Sequence, residues 1–531
     1  MSSNVSDTMS SGFYVPDSLK FYVNKLSFSK NRVKLQALSS QVANPNGQII
    51  VRLPSNTMLN MASLTMTGSV RASIAAAANN EGVALPTNLD YSFIESISII
   101  ANGGVISQPF LNYKLIANVL NDVYGGNEKI DNRAALQGSR PSLLYDYLAI
   151  STAPAPGTAS AYVPFSINSW LSPLQSMSPS YINTNLLGDL ELRITLTDTS
   201  VIQSGSTALP AAVGPNDTAG GGEVVGLQAR CSYDMKDIAF YIETASIQSN
   251  ILDQAIDAKL RSGEPINIPF ENIFSFQQTN GVGGSFNQRF SVSSQSINKV
   301  IAVTQLQADV VNDGTQKRMI NGVPQCLRRN SNGAQQCQFS INNQYSPNYQ
   351  INSDLNSAFD FGLGTFVAGS ARNYQQSSGL LETVAALDTP DYDYESSHHK
   401  LCSTTQMPIE LGLNAPTITV AVAGLSPAKQ VAAPLLLAAN TNTYWFPYTY
   451  QSPIDTYLYD KYVVATSFDL HCDSSRLISG VNTLGSNSQL FYNVVGGAST
   501  GVVPVASVST IFVLCTSMIQ VFAGSQLKII Q

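Results

Sequence analysis

Apolar and polar residues alternate with a period of two along most of this chain. Residues 20–38 (KFYVNKLSFSKNRVKLQAL), 48–53 (QIIVRL), 63–70 (SLTMTGSV) and 93–100 (FIESISII) each put apolar side chains on one face and polar ones on the other. The last run stops at Ala-Asn-Gly-Gly, a turn signal, and β chemistry resumes at residues 105–107. Short alternating runs bounded by Gly, Pro and Asn predict an antiparallel sandwich. Residues 190–196 alternate most cleanly, with Leu190, Leu192, Ile194 and Leu196 opposite Glu191, Arg193 and Thr195, so one face is predicted buried and the other wet. Strands return at 224–242.

Two helices interrupt this pattern. Residues 110–124 (FLNYKLIANVLNDVY) place Leu111, Leu115, Val119 and Val123 on one face and end at Gly125-Gly126. Residues 249–261 (SNILDQAIDAKLR) begin with a capping Ser/Asn and end before Gly263. This second helix lies near the middle of the chain and is expected to connect two domains. Beyond it, residues 266–276, 285–293 and 297–306 read as strands, as do 460–471, 489–495 and 511–530, with FAGSQLKII as a closing strand. Residues 200–222 read as a long Gly/Ala/Ser/Pro-rich loop. Residues 312–442 read as loop insertions carrying short strands of their own, since a structureless stretch of that length does not suit a compact domain. The second half thus repeats the first in kind: strands, a large excursion, closing strands. No letter-by-letter repeat accompanies this.

At 531 residues the chain suits two β-rich domains of roughly 250 residues. Only 12% of residues are charged, and Ser, Asn, Gln and Thr take their place. Protein interfaces are depleted in charge at their centres, so much of this polar, uncharged surface is expected to face further copies of the chain. A net charge of −7 and a pI near 5.1 argue against a dedicated nucleic-acid binder. Cys231, Cys326, Cys337, Cys402, Cys472 and Cys515 form no CxxC pair and are expected to be mostly reduced thiols. The opening MSSNVSDTMSSGFYVP lacks the basic and apolar regions of a signal peptide, and the apolar stretch 507–522 is short and β-branched, so the chain reads as soluble and made in a cytosol.

No constellation supports catalysis. Gly497-Ala-Ser499-Thr-Gly501 matches GxSxG, but Val502-Val503-Pro504 is no helix start and no Asp, Glu or His follows Asp473. His471-Cys472-Asp473 forms an HxD, yet no later His completes an iron site, and His398 and His399 fall in the wrong chain order. Asp388, Asp391, Asp393 and Glu395, followed by His398, His399 and Cys402, leave two readings open: a divalent-cation site or a solvated acidic loop. Cys326 and Cys337 lack zinc spacing and read as free thiols. No Gly-Lys dipeptide occurs, which excludes a phosphate-binding P-loop. The basic run Lys20, Lys25, Lys30, Arg32 and Lys34 is either a solvated strand face or a patch for nucleic acid or anionic lipid. Trp170 and Trp445, with Tyr444, Phe446, Tyr448 and Tyr450, read as core or interface anchors. No catalytic, cofactor or metal residues are expected, and no small-molecule substrate.

Four segments resemble the double jelly-roll major capsid proteins, the lineage of adenovirus hexon, the large algal DNA viruses, virophages and polinton-like viruses. They are the opening FYVNKLSFSKNRV with QIIVRLPSN; FIESISIIANGGVI running into the helix FLNYKLIANVL; VPFSINSWLSPLQSMSPSYINTNLLGDLELRITL; and the C-terminal VFAGSQLKII. Among members the chain looks most like the smaller polinton-like virus and virophage proteins. The resemblance implies an all-β fold of two tandem eight-stranded jelly rolls with short helices and long inserted loops. It implies a structural role without catalysis: homotrimeric, pseudo-hexagonal capsomers that tile an icosahedral DNA-virus shell. Partners would be sister copies, penton and minor capsid proteins, and genome or membrane through the N-terminal basic segment. The place would be the virion, and host cytoplasm or nucleus during assembly. The expected organisation is an N-terminal arm (1–19), a first jelly roll (20–247), a connector helix (248–263) and a second jelly roll (264–531) carrying the 312–442 insertion. The alternative reading is a jelly-roll attachment or glycan-binding surface protein of a virus.

Overall fold

The computed structural model describes residues 28–39, 42–75, 81–86, 89–107, 110–124, 158–159, 162–177, 180–206, 226–247, 250–312, 314, 317, 319–320, 323–341, 344–353, 457–468, 480–484, 489–497, 503–524 and 526–530. In the first half the main strands are β1 (Phe28–Gln36), β2 (Gln48–Arg52), β3 (Met58–Ile74), β4 (Ile94–Ala101) and β5 (Gly104–Ser107). Helix α1 (Tyr113–Tyr124) follows, then β6 (Val163–Ile167), β7 (Leu190–Leu196) and β8 (Cys231–Ile247). After helix α2 (Asn250–Arg261) come β9 (Ile266–Asn280), β10 (Phe286–Phe290), β11 (Ile297–Leu306), β12 (Ala334–Ile341), β13 (Gln344–Asn352), β14 (Val464–Ser467), β15 (Leu490–Gly496) and β16 (Ser507–Phe522).

The first eight strands form two antiparallel sheets, β1-β8-β3-β6 and β2-β7-β4-β5; the second eight form β9-β16-β11-β14 and β10-β15-β12-β13. Adding eight to every strand number converts the first pair of sheets into the second. This order is that of a jelly roll, occurring twice. Helix α2 lies between β8 and β9 in the chain.

Local chemistry explains the elements. Strand β7 buries Leu190, Leu192, Ile194 and Leu196 and leaves Glu191, Arg193 and Thr195 half-buried, as the alternation predicts. Between β4 and β5, Asn102 (φ 49°) and Gly103 (φ 80°) make a two-residue turn of the twist-matching kind. Strand β11 is buried at all ten positions because it is an inner strand with both faces covered. Trp170 is buried in the first core, and its indole N–H donates to the Leu64 carbonyl at 2.8 Å. Among the described residues no helix is long and apolar enough to cross a membrane.

Several expectations shift. The first helix starts at Tyr113, not 110, because Asn112 sits in the left-handed region (φ 61°), so Leu111 lies outside the helix and is exposed while Leu115, Val119 and Val123 are buried as expected. The stretch 511–530 is two strands: β16 turns at Ala523-Gly524 (φ 79° at Gly524) and Gln526–Ile530 pairs back onto it. Of the strand expected over 460–471, the described residues 460–468 show β14 alone. The expected loop 200–222 opens with a strand, Gln203–Ser206, paired with Glu81–Ala84. Within 312–442, β12 and β13 are sandwich strands and not loop. Their Gln-, Ser- and Asn-rich sequences conceal an inward face of Cys337, Phe339, Ile341 and Ile351.

Candidate interface: the seam between the two rolls and the outer sheet edges

Among the described residues strand β9 is the terminal strand of its sheet and pairs with β16 on one side. A terminal strand leaves every second backbone N–H and C=O without a ladder partner. The first roll supplies partners. The Glu271 N–H donates to Ser176 Oγ at 2.9 Å, and Ser172 Oγ donates to the Glu271 carbonyl at 3.3 Å. The Ile273 N–H donates to Asn272 Oδ1 at 3.1 Å, and the same oxygen accepts from Ser107 Oγ at 3.3 Å. The Leu111 N–H donates to Ser275 Oγ at 2.9 Å. Serine hydroxyls, which both donate and accept, thus close an edge that backbone could not.

A second set of contacts joins the flanking turns. The Ser204 N–H donates to the Lys317 carbonyl at 2.6 Å, the Gln228 N–H to the Gly314 carbonyl at 3.2 Å, and Asn312 Nδ2 to Thr199 Oγ1 at 3.0 Å. Beneath these lies a chain of buried charges. Asp122, in the last turn of α1, pairs with Arg329 of the second roll, and Lys461 Nζ stands 3.7 Å from the same carboxylate. Arg328 Nε donates to Asp460 Oδ1 at 2.7 Å, with Asp309 3.9 Å from the other arm of its guanidinium and Gln325 donating to Asp309 at 2.9 Å. Burial lowers the Arg329 guanidinium from its usual value, against the pull of Asp122, and raises the Asp309 carboxyl, against the pull of Arg328. On the first-roll side, burial pulls the Lys114 ammonium down, but Glu95 at 2.9 Å heads the contacts that leave it raised overall.

The outer face of sheet β1-β8-β3-β6 is basic and aromatic. Lys30 pairs with Glu243 at 2.6 Å, and Arg32 Nη2 donates to Thr65 Oγ1 at 3.0 Å. Arg32 and Lys34 lie 5.6 and 6.0 Å from the centre of the Tyr241 ring. Farther along, Arg71 pairs with Asp234 at 2.7 Å, and Tyr162 stacks under Arg71 at 4.5 Å and Lys236 at 3.8 Å. The described cations of the basic run are therefore engaged along their own sheet, as on a solvated strand face. Exposed pairs of this kind are worth about 0–1 kcal/mol each.

The remaining residues singled out in the sequence divide in two. Lys20, Lys25, Asp388, Asp391, Asp393, Glu395, His398, His399, Cys402, Trp445, His471, Cys472, Asp473 and Ser499 lie outside the described residues, as does the 1–19 arm. Cys231, Cys326, Cys337 and Cys515 are unbridged and buried. Burial pushes the Cys326 thiol up to about 11 and the Cys337 and Cys515 thiols up to about 12, so these are inert packing groups. Among the described residues no three His, Cys, Asp or Glu side chains converge as metal ligands. Sequence reasoning missed Asp122, Arg328, Arg329, Asp460 and Lys461. The available signal was adjacency: Arg328-Arg329 and Asp460-Lys461 are consecutive charges in a chain with few of them.

No family model matches the chain, and no curated protein matches it. Solved structures do. The PBCV-1 virus capsid matches at 8% identity with a TM-score of 0.50, over 94% of this chain and 97% of that one. The Faustovirus major capsid protein matches at 8% identity with a TM-score of 0.50, over 95% and 91%. The Sputnik virophage structure matches at 12% identity with a TM-score of 0.47, over 95% and 88%. The likeness spans both rolls and is one of fold.

Proposed function

From the double jelly-roll fold that this chain shares with viral major capsid proteins, we propose that it is a shell-building protein that self-assembles and performs no reaction. The carrying observation is the eight-strand order repeated twice along one chain, with one roll closing the other's sheet edge through a built seam. Closing a sheet edge through side-chain hydroxyls lets two rolls stand as one rigid tile without merging their sheets. Three such chains in cyclic symmetry would present six similar rolls, a shape that packs hexagonally. The composition supports this reading: a surface rich in Ser, Asn, Gln and Thr suits repeated contact with identical neighbours.

In this reading α2 is the connector of the rolls, the shell is a virion's, and penton and minor capsid proteins complete it. The segment 1–19 is an interior arm that, with the basic run, touches genome or membrane. Light scattering on the purified chain tests the core of the proposal. A particle of three times 56.8 kDa is expected; a monomer that persists at high concentration contradicts it. Deleting residues 1–19 should impair shell formation more than trimer formation, and equal loss of both, or of neither, refutes the arm's role.

A further inference from the structure

Asp309 is a carboxyl in a place that suits a charge poorly. It lies on the short helix α3 (Gln307–Val310), which follows β11, and its side chain is fully buried. Gln325 donates to its Oδ1 at 2.9 Å, while Oδ2 meets no hydrogen-bond donor among the described residues. The guanidinium of Arg328 stands 3.9 Å away and gives its Nε proton to Asp460 at 2.7 Å. Two buried carboxylates thus compete for one cation, an arrangement that favours a neutral acid at one of them. The third charge facing Asp309 is the Lys317 ammonium, which donates to the neighbouring Ala308 carbonyl. The turn Gln325–Leu327 carries the Cys326 thiol, kept neutral by burial, which pushes it up to about 11. The ionisable residues of the strands packed against α3, Lys299 of β11 and Cys515 of β16, stand toward the far ends of those strands.

This carboxyl sits beside the contacts that clasp the first roll. Lys317, itself 1% exposed, exchanges bonds with Ser204. The Ser204 N–H donates to the Lys317 carbonyl at 2.6 Å, and the Lys317 N–H donates to Ser204 Oγ at 3.2 Å. Asn312 reaches Thr199 at 3.0 Å, and Gly314 accepts the Gln228 N–H at 3.2 Å. Asp309 is therefore joined to the Ser204 pairing through the adjacent Ala308 carbonyl and the Lys317 side chain.

We propose that Asp309 is a proton switch on this clasp. As a neutral acid it leaves Lys317 on the Ala308 carbonyl, and α3 holds the first roll at Ser204 and Gln228. As a carboxylate it draws water and the Lys317 ammonium toward itself, and the hold loosens. Burial raises the Asp309 carboxyl above its usual 3.8, with Arg328 pulling the other way. A raised carboxyl contributes stability in full below its unfolded value and loses it as pH rises through the folded one. The clasp is tight in acid and looser toward neutral pH. The switch works within one chain and does not depend on self-assembly.

Hydrogen–deuterium exchange on the full-length chain tests it, with rates corrected for the intrinsic pH dependence of exchange. Protection of the Ser204 and Gln228 amides should fall about threefold or more between about pH 4 and about pH 8. The Glu271 amide, elsewhere on the seam, is the reference and should hold its protection. Asp309→Asn, which fixes the neutral form, should keep both clasp amides protected across the range. Its infrared difference from wild type in acid should contain the carbonyl stretch of a protonated carboxyl. Clasp protection that does not fall in wild type overturns the proposal, and this outcome decides even where Asp309→Asn fails to fold. A fall that persists unchanged in folded Asp309→Asn overturns it as well.

Discussion

Replacing Asp122 by alanine is expected to uncouple the two rolls. Asp122 is the one carboxylate within ion-pair distance of both Arg329 and Lys461 among the described residues, and the side chains of these three are 9%, 1% and 8% exposed. Removing it takes the carboxylate away from two cations that have little water around them. Burial already disfavours the charge on Arg329. Breaking a buried pair on one side costs about 3–5 kcal/mol, because the surviving charge is stranded. Against a domain stability of about 5–15 kcal/mol, that is a large fraction. The loss falls at the seam, away from either core. Calorimetry of the purified chain should therefore show a lowered melting temperature and separation into two transitions, one per roll. The paired replacement Asp122→Leu with Arg329→Met removes both charges at near-equal volume. It should recover about half or more of the loss, since Lys461 can turn its ammonium toward water. A loss below about 1 kcal/mol for Asp122→Ala would refute the reasoning, as would a paired variant no better than the single one.

Three further outcomes follow from the geometry. Gly480→Ala should destabilise the second roll by about 1–3 kcal/mol, because a Cβ there would lie 2.2 Å from the Ile297 carbonyl oxygen; an unchanged melting temperature would contradict it. Ser172→Ala with Ser176→Ala should raise hydrogen exchange at Glu271 while leaving β16 protected, since these hydroxyls serve the β9 edge at that residue; unchanged exchange would remove them from the seam. Glu243 is held below its usual carboxylate value, first by the hydrogen bond from Lys30 and then by that from Asn60. A depressed carboxyl contributes stability above its unfolded value of 4.5 and loses it as pH falls through the lower folded value. Pairing of β1 with β8, followed by exchange, should loosen in that acidic window, and Glu243→Gln should abolish the pH dependence.

Much of the fold was legible, and the exceptions have physical causes. Strand β7 and the β4–β5 turn were readable because one wet face and one turn imprint themselves on adjacent letters. Strand β11 was readable as a bounded apolar run. Strands β12 and β13 were not, because their outward residues include Gln, Ser and Asn, which local reading assigns to loops; β12 also pairs with β15, about 150 residues away in sequence. Leu111 was misplaced because a left-handed Asn112 resets the helix start, which periodicity does not register. The seam was illegible for a stronger reason. Asp122 and Arg329 are 207 residues apart, and neither carries a local pattern that names its partner. Ser172 and Ser176 look like any polar loop residues until β9 is set beside them.

Electron microscopy of the purified, assembled protein tests the central claim most directly. The account predicts triangular capsomers with a six-lobed outline, two lobes per chain, that tile into closed shells. Particles with one lobe per chain, or a uniform field of single 56.8 kDa molecules under all assembly conditions, would contradict it.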